Sequence, residues 1–509
     1  MEMNKEKIST ILKNNAGSIY IGIILFGLPI YTHDMLYDIS IAKYLFFVYA
    51  TILFCVLWLF IKKVEIKKSI FSKTNKEDWL YLFFLVCAFA SSLGSEYPKK
   101  AMTGEAGRHI GFWTYAISGC AFAFIVTIPY IKKYVFYIWG MSSIIVGIIG
   151  ISNHFGKDPL NFFAEMYDDQ IPFFVSTMGN VDFFSAYMAF VFVFFSMLFV
   201  KTSRLSEKIL GAVTGIISGM AVNSTCADAG YIMIILFAVY GWIIADSMSE
   251  FMKICECILV VLITAIIIGK LDKRIPNVRK LDGIGNLLST SKVTIIMSIV
   301  MFALIFIILF MKRIYISGRV QNMNMSFEKT KFIIVKICIV LTIIGTILVL
   351  IINISPINIS NIAILSNLKI TDDFGTTRGY VWRKTIEYFK LLPIENKIFG
   401  IGPDLAIFAY DKILYINPTV ELPATFDNAH NEFLQLLLTH GLAGVITYYG
   451  WIILSAVRLL KERKQNYISG IIGFSIVCYL VMMQVCVNVI YLTFIPFLIL
   501  CVGKNGRYK

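Results

Sequence analysis

Charged residues are scarce in this chain. Only 15% of its 509 residues are Asp, Glu, Lys or Arg, and 58% are hydrophobic. A soluble domain carries about 25% charged residues, which excludes a soluble protein here. The apolar residues come in blocks of about 18–22, the length of a helix that crosses a bilayer. The sequence therefore predicts an all-α polytopic membrane protein.

Paired cysteines are missing as well. The ten cysteines lie almost all inside apolar blocks, and no CxxC pair is present. These spacings argue against a disulfide framework and a zinc site, and we predict neither a metal nor a cofactor. The first residues, MEMNKEKISTILKNN, are polar and lack a signal-peptide cleavage site, so the first apolar block is predicted to stay in the protein.

Fourteen apolar segments are predicted to span the membrane. Every second turn between them is rich in Lys and Arg, and such turns face the cytoplasm, so both termini are predicted to be cytoplasmic. The net charge of +14 then reflects topology and contact with anionic lipids, and no nucleic acid is expected as a partner. The predicted spans are 17–33, 40–61, 79–95, 112–131, 134–153, 182–200, 209–225, 230–246, 254–270, 293–311, 332–352, 433–457, 467–486 and 488–503.

One basic stretch departs from this alternation. The sequence KLDKRIPNVRKLDG at 270–283 falls on the outside. Either it binds an anion or a neighbouring span is miscounted. We favour the first, because moving the stretch inside would misplace every later basic turn.

The whole chain, 1–509, is predicted to form a single membrane domain with one large outside loop at 353–431. A connection of that length is uncommon without a function. Within it, TRGYVWRKTIEYFKLLP has helical apolar spacing and charges opposite, which predicts an amphipathic helix on the membrane surface that Pro393 ends.

The end of this loop carries the strongest candidate for proton transfer. His430 lies in DNAHNEFLQLLLTHGLAG, where a polar segment enters a membrane helix. A single histidine is more often an ordinary interfacial residue. A neutral imidazole that is partly shielded from water can, however, take a proton from a sugar hydroxyl.

Outside arginines are the second candidate group. Arg378 and Arg383 lie in the loop, and Arg108 lies in GEAGRHIGFW after the third span. A guanidinium pairs with phosphate oxygens through two parallel hydrogen bonds. These arginines are therefore candidates for binding a phosphate group and stabilising its negative charge. The alternative is an arginine that is solvated or anchors a lipid headgroup, which we favour for Arg383.

These residues carry a resemblance to a known family. TTRGYVWRKTIEYFKLLPIENKIFGIGPDLAIF followed by AHNEFLQLLLTHGLAGVITYYG resembles the signature region of the O-antigen ligase and O-antigen polymerase superfamily: an Arg, a nearby Trp, a Pro, a GxG turn and an HN pair that opens a membrane helix. Arg378 and His430 are 52 positions apart. GRHIGFWTY (107–115) and STMGNVDFFSAYMAF (176–190) are similar to two upstream segments of the family.

The resemblance implies a glycosyltransferase-type polymerase or ligase on the outer face of a bacterial cytoplasmic membrane. It implies a metal-independent, inverting transfer from an undecaprenyl-pyrophosphate-linked oligosaccharide in surface polysaccharide biosynthesis, with membrane lipids and other glycan-assembly proteins as partners. His430 is similar to the family's proposed base and Arg378 to its pyrophosphate-binding arginine. Arg108, Arg383, Trp382 and Asn431 are the further candidates for binding pyrophosphate or glycan.

One segment departs from the family pattern. Where many members have a Ser-Arg pair after a Thr, VNSTCADAGYIMI (222–234) has Ala227-Asp228. Either another cation compensates, for which Arg274 and Arg279 are candidates, or the reaction is a variant one, or the protein is inactive. A lone carboxylate such as Asp228 or Asp182 is more often a helix cap than a catalyst.

A lipid-linked oligosaccharide flippase or another polytopic transporter is the alternative from a different class. Transporters usually carry charged residues within the bundle, along the transport path. Here the charged residues concentrate outside, and transport requires neither the long loop nor the HN pair. The enzyme is therefore the favoured hypothesis.

Overall fold

The computed structural model describes residues 2–62, 74–105, 107–225, 227–275, 278–316, 323–354, 369–416 and 426–509. Apart from one short hairpin, its regular elements are helical. The α-helices are α1 Glu2–Ile30, α2 Ile39–Lys62, α3 Asp78–Leu93, α4 Pro98–Thr103, α5 Phe112–Ile125, α6 Tyr134–His154, α7 Val181–Lys201, α8 Leu205–Asn223, α9 Ala229–Ile244, α10 Met248–Asp272, α11 Gly283–Thr290, α12 Lys292–Ile316, α13 Met323–Ile354, α14 Phe374–Leu391, α15 Ile394–Phe399, α16 Ala406–Ile416, α17 Glu432–Lys461, α18 Tyr467–Met482 and α19 Ile490–Asn505.

The prediction of an all-α membrane protein is confirmed. Among the described residues, eight helices are long and apolar enough to cross a membrane, and six shorter apolar helices occupy the remaining predicted positions. The eight are Ile39–Ile61, Tyr134–His154, Val181–Lys201, Leu205–Asn223, Met248–Asp272, Lys292–Phe310, Glu432–Lys464 and Tyr467–Val485. The full count of fourteen spans stays a prediction.

Helix α7 lies at the centre of the bundle. Its sequence is apolar on all sides, as expected for a helix that contacts protein all round, and nearly all of its side chains are buried. It packs against α8, α9 and α18. A short antiparallel hairpin, β1 Phe174–Val175 and β2 Gly179–Asn180, leads into its first turn. Asn180 caps that turn by accepting a hydrogen bond from the Asp182 amide at 2.8 Å.

The predicted cytoplasmic turns meet at one end of the bundle. Lys133 donates to Glu207 at 3.2 Å and to Tyr467 at 2.9 Å, and the Lys133 amide donates to the Lys509 carbonyl at 3.0 Å. Lys504 pairs with Asp78 in the same region. The predicted inside turn at 62–76 falls largely outside the described residues. This clustering is what alternation of the basic turns predicts.

The opposite end carries the loop segments and the basic stretch 270–283. Asp272 pairs with His154 at 2.9 Å, and the Arg279 amide donates to the His154 carbonyl at 3.0 Å. The described part of the stretch therefore lies at the end of α6, opposite the basic turns, as alternation requires. Residues 355–368 and 417–425 of the predicted loop fall outside the described residues.

The predicted amphipathic helix forms as α14 and ends before Pro393. Three residues in its first turn, Gly375 to Thr377, have left-handed backbone angles, so the regular helix starts at Arg378. Its buried face packs against protein: Val381 and Leu392 form a small core with Ala406, Ala409, Tyr410 and Leu438. Residues of α16 and α17 thus cover part of this face, whereas Ile386 and Leu391 are exposed, and contact of α14 with the membrane surface stays a prediction.

Candidate active site

His430 is held at the point where a loop enters α17. The next residue, Asn431, is the N-cap, and its side chain accepts a hydrogen bond from the Leu434 amide at 3.0 Å. The His430 amide donates to the Asn428 side chain at 2.8 Å. His430 itself has a φ of 49°, in the left-handed region that histidine rarely adopts and that occurs preferentially at functional sites.

Two side chains hold the residue before His430. The Trp382 indole donates to the Ala429 carbonyl at 2.9 Å, and the Ala429 amide donates to Gln435 at 3.1 Å. Trp382 comes from α14 and Gln435 from α17. The backbone that carries the imidazole is therefore fixed between these two helices.

The GxG turn docks into a break in α17. At Gly441 the helix is interrupted, with a φ of 65° and a ψ of −173°. The carbonyls of Leu438 and Thr439 that this break frees accept hydrogen bonds from the amides of Ile401 and Gly402, both at 3.1 Å. A Cβ at Gly441 would lie 2.3 Å from the Ile398 carbonyl oxygen, which only glycine avoids. This docking joins the loop to the bundle.

Asp404, the last residue of GIGPD, brings in a second loop. Its carboxylate accepts hydrogen bonds from the amides of Glu105 at 2.9 Å and Ile110 at 3.1 Å. Burial raises the pKa of Asp404 to about 6, although the positive charge of Arg108 opposes that rise. The loop that carries Arg108 is thus fastened to the turn that is docked on α17.

We expect Asp404→Asn to unfold at nearly the same temperature as the wild type, and Asp404→Ala to unfold at a clearly lower temperature. Asn keeps an acceptor oxygen and tolerates the φ of 61° at this position. Ala leaves two amides without an acceptor, at a cost of about 1–3 kcal/mol for each buried group. Thermal unfolding of the purified variants in detergent measures the difference. Equal losses in both variants would contradict the role given to the acceptor oxygen.

Arg108 forms a two-pronged ion pair with Asp427. Its Nε donates to one carboxylate oxygen at 3.1 Å and its Nη2 donates to the other. The Arg108 side chain is 11% exposed, whereas that of Asp427 is 54% exposed. The carboxylate therefore covers the guanidinium from the solvent side.

Arg378 lies at the start of the regular part of α14 and reaches the first turn of α7. Its Nη2 donates to Asp182 at 3.2 Å. Burial raises the pKa of Asp228, and the hydrogen bond from the Ile284 amide and the positive charge of Arg378 oppose that rise. The Arg279 amide bonds at the end of α6, and compensation for Ala227-Asp228 by Arg274 or Arg279 stays a prediction.

Asp228 has a further, structural contact. Its carboxylate accepts a hydrogen bond from the Ile284 amide at 2.8 Å and so ties the start of α11 to the start of α9. A Cβ at Gly283 would lie 2.2 Å from the same carboxylate. Asp228, which follows Ala227 in the departing segment, is thus an anchoring acid between two helices.

Both arginines come from segments that are joined to the one that carries His430, since Arg108 pairs with Asp427 and Trp382, one turn after Arg378, donates to the Ala429 carbonyl. Burial, followed by the positive charges of Arg378 and Arg108, lowers the pKa of His430 to about 4, and Asp427 opposes that shift. Its Nδ1 is buried and has no hydrogen-bond partner among the described residues. The segment that carries the neutral imidazole of His430 thus meets two segments that bear an arginine, α14 and the loop before α5.

Arg383 is arranged differently. It pairs with Asp372 through two hydrogen bonds, at 3.0 and 2.6 Å, and with Glu387 at 3.1 Å. Its side chain is 44% exposed. Arg383 thus lies at the rim of the site.

Sequence reasoning missed the acids of the site. The sequence predicts Asp182 to be a helix cap, and its pattern does not single out Asp404, Asp427 or Glu432. Glu432 is buried and accepts from Asn488 at 2.8 Å. Their position in the sequence could have indicated two of these acids, because Asp427 is three residues before His430 and Glu432 is two residues after it.

The family comparison agrees with this geometry. Residues 281–449 match the family model described as O-antigen ligase, and that range contains Arg378, Trp382, His430 and Asn431. No curated protein matches the chain at a significant level. The apolar helices indicate a multi-pass membrane protein, and the match covers one segment of it. Residues 281–449, about a third of the chain, are therefore similar to the O-antigen ligase family.

Proposed function

We propose that this protein transfers a glycan from an undecaprenyl-pyrophosphate carrier to an acceptor hydroxyl on the outer face of the bacterial cytoplasmic membrane. The observation that carries the proposal is that the segment of His430 is joined to the segments that bear the two arginines, because Trp382 donates to the Ala429 carbonyl and Arg108 pairs with Asp427. A base beside two cations suits a reaction in which a hydroxyl loses a proton while a pyrophosphate leaves. The family match supports the same class of reaction.

The proposed reaction is a single, metal-independent displacement with inversion. The acceptor oxygen forms a bond to the anomeric carbon while the bond from that carbon to the pyrophosphate oxygen breaks. The acceptor proton passes to the His430 imidazole, and the electron pair of the broken bond leaves with the lipid pyrophosphate. Arg378 and Arg108 are placed to stabilise the negative charge that develops on that leaving group.

The other predicted residues act around this centre. We propose that Trp382 and Asn431 position His430, since one holds the Ala429 carbonyl and the other caps α17. We propose that Arg383, at the exposed rim, contacts the glycan or the carrier's headgroup. The carboxylates on Arg378 and Arg108 neutralise these cations until the donor arrives.

Reconstitution tests the enzyme against the flippase. Purified protein in liposomes is given undecaprenyl-pyrophosphate-linked repeat units already in the leaflet next to the active site. We expect new glycosidic bonds and release of undecaprenyl pyrophosphate, with no need for movement across the bilayer. Transport of the labelled lipid to the other leaflet without any bond formation would instead establish the flippase.

The surface glycan of a strain that lacks the protein distinguishes a polymerase from a ligase. Polymerase and ligase share the donor and differ in the acceptor. If the protein is a polymerase, a gel of the surface glycan loses its ladder and keeps a single repeat. If it is a ligase, finished polymer remains on its lipid carrier.

A further inference from the structure

Asp427 occupies the binding face of Arg108. Two hydrogen bonds join the carboxylate to the guanidinium fork, and the more exposed partner is the carboxylate. A phosphate group uses the same fork with the same two-pronged geometry. A pyrophosphate can therefore bind Arg108 in this way only after Asp427 leaves.

The chain around Asp427 allows such a departure without displacing the base. Ala429 is held on both sides, by Trp382 and by Gln435, and Asn431 caps α17. Asp427 lies before these fixed points, and its side chain is bound to Arg108. Rotation of that side chain leaves the backbone at His430 in place.

Asp427 is three residues before His430, whose buried Nδ1 has no hydrogen-bond partner among the described residues. The charged groups that act on the imidazole are Arg378 from α14, Arg108 from the loop before α5, and Asp427 from its own segment. The two cations oppose protonation of the imidazole, and Asp427 favours it. Donor binding would neutralise the cations and free the carboxylate at the same time.

We propose that Asp427 is a positioning residue that occupies Arg108 in the empty site and, once the donor pyrophosphate displaces it, stabilises the protonated His430. This inference rests on the proposed function. The proton of the acceptor hydroxyl goes to His430, Asp427 stays ionised throughout, and the imidazolium returns its proton to water after the products leave. The exchange couples donor binding to the strength of the base.

Asp427→Asn tests both halves of this role. Without a competing carboxylate on Arg108, the variant should bind inorganic pyrophosphate and the donor several-fold more tightly, with a lower KM. Without a negative charge beside the imidazolium, kcat should fall by about tenfold. Opposite changes in KM and kcat are not expected of a residue that merely stabilises the fold.

The matched control is Glu96→Gln. Glu96 forms an ion pair with Lys412, and its side chain is 55% exposed, close to the value for Asp427. Neither partner is among the charges that act on His430. This variant should retain wild-type KM, kcat and pyrophosphate affinity.

A conservative variant and the binding measurement complete the test. Asp427→Glu keeps the charge and should retain most of kcat; a loss equal to that of Asp427→Asn would overturn the role of the charge. Unchanged or weaker pyrophosphate binding in folded Asp427→Asn would overturn the displacement, and if that variant does not fold, Asp427→Ser is measured by the same criteria. An inactive wild type would refute the proposed function. Pyrophosphate binding can be measured without transfer activity, so it would still show whether Asp427 competes with pyrophosphate for Arg108.

Discussion

His430→Ala and His430→Asn are expected to abolish glycan transfer while the protein remains in the membrane. Loss of a general base costs about 10²–10⁴-fold in rate. His430→Asn removes the base with less strain on the backbone than His430→Ala, because Asn tolerates the φ of 49° at this position better than Ala. Product formation from a lipid-linked donor, at matched protein amounts, measures the effect.

The control for this pair is His33→Asn. His33 is an exposed histidine that pairs with Asp38 at 2.8 Å, before α2, and it has no contact with the site described above. It should leave transfer unchanged. Wild-type activity in folded His430→Asn would eliminate His430 as the base.

Arg378→Ala is expected to reduce transfer by about 10²–10³-fold, the range for removing one group that stabilises charge in a transition state. The loss should fall on kcat as well as on donor affinity, because Arg378 meets the pyrophosphate most strongly when negative charge develops on it. Arg378→Lys should recover part of the activity, since a point charge replaces a planar fork. Steady-state kinetics with a defined donor separate the two parameters.

The control lies on the same helix. Lys390 is an exposed cation near the end of α14, and Lys390→Ala removes one positive charge without touching Asp182 or His430. It should behave like the wild type. An Arg378→Ala variant that folds and keeps kcat would exclude Arg378 from the reacting centre.

The elements that follow from local pattern could be predicted. Apolar blocks at bilayer length gave the apolar helices, and the end of α14 at Pro393 followed from the chemistry of proline. The face of α14 could not be assigned in the same way, because an apolar stripe is compatible with lipid and with protein. Only tertiary packing brings Tyr410 and Leu438 onto it.

Some residues of the site could likewise be predicted from the sequence, and others could not. His430 and the arginines have chemistry that sets them apart in a sequence, so they could be singled out. The acids that hold those cations are distant in sequence: Asp182 is 196 positions from Arg378, and Asp427 is 319 positions from Arg108. Such pairings depend on the fold, and no local pattern reports them.

The contact of Asp404 with the loop of Arg108 limits how the protein can be divided into fragments or recombined in chimeras. Arg108 lies outside the matched range 281–449, and the residue that fastens its loop lies inside it. An excised fragment of that range would lack one of the two cations at the imidazole. A chimera between family members should therefore exchange 104–110 together with 400–404, so that the amides and their acceptor come from the same parent.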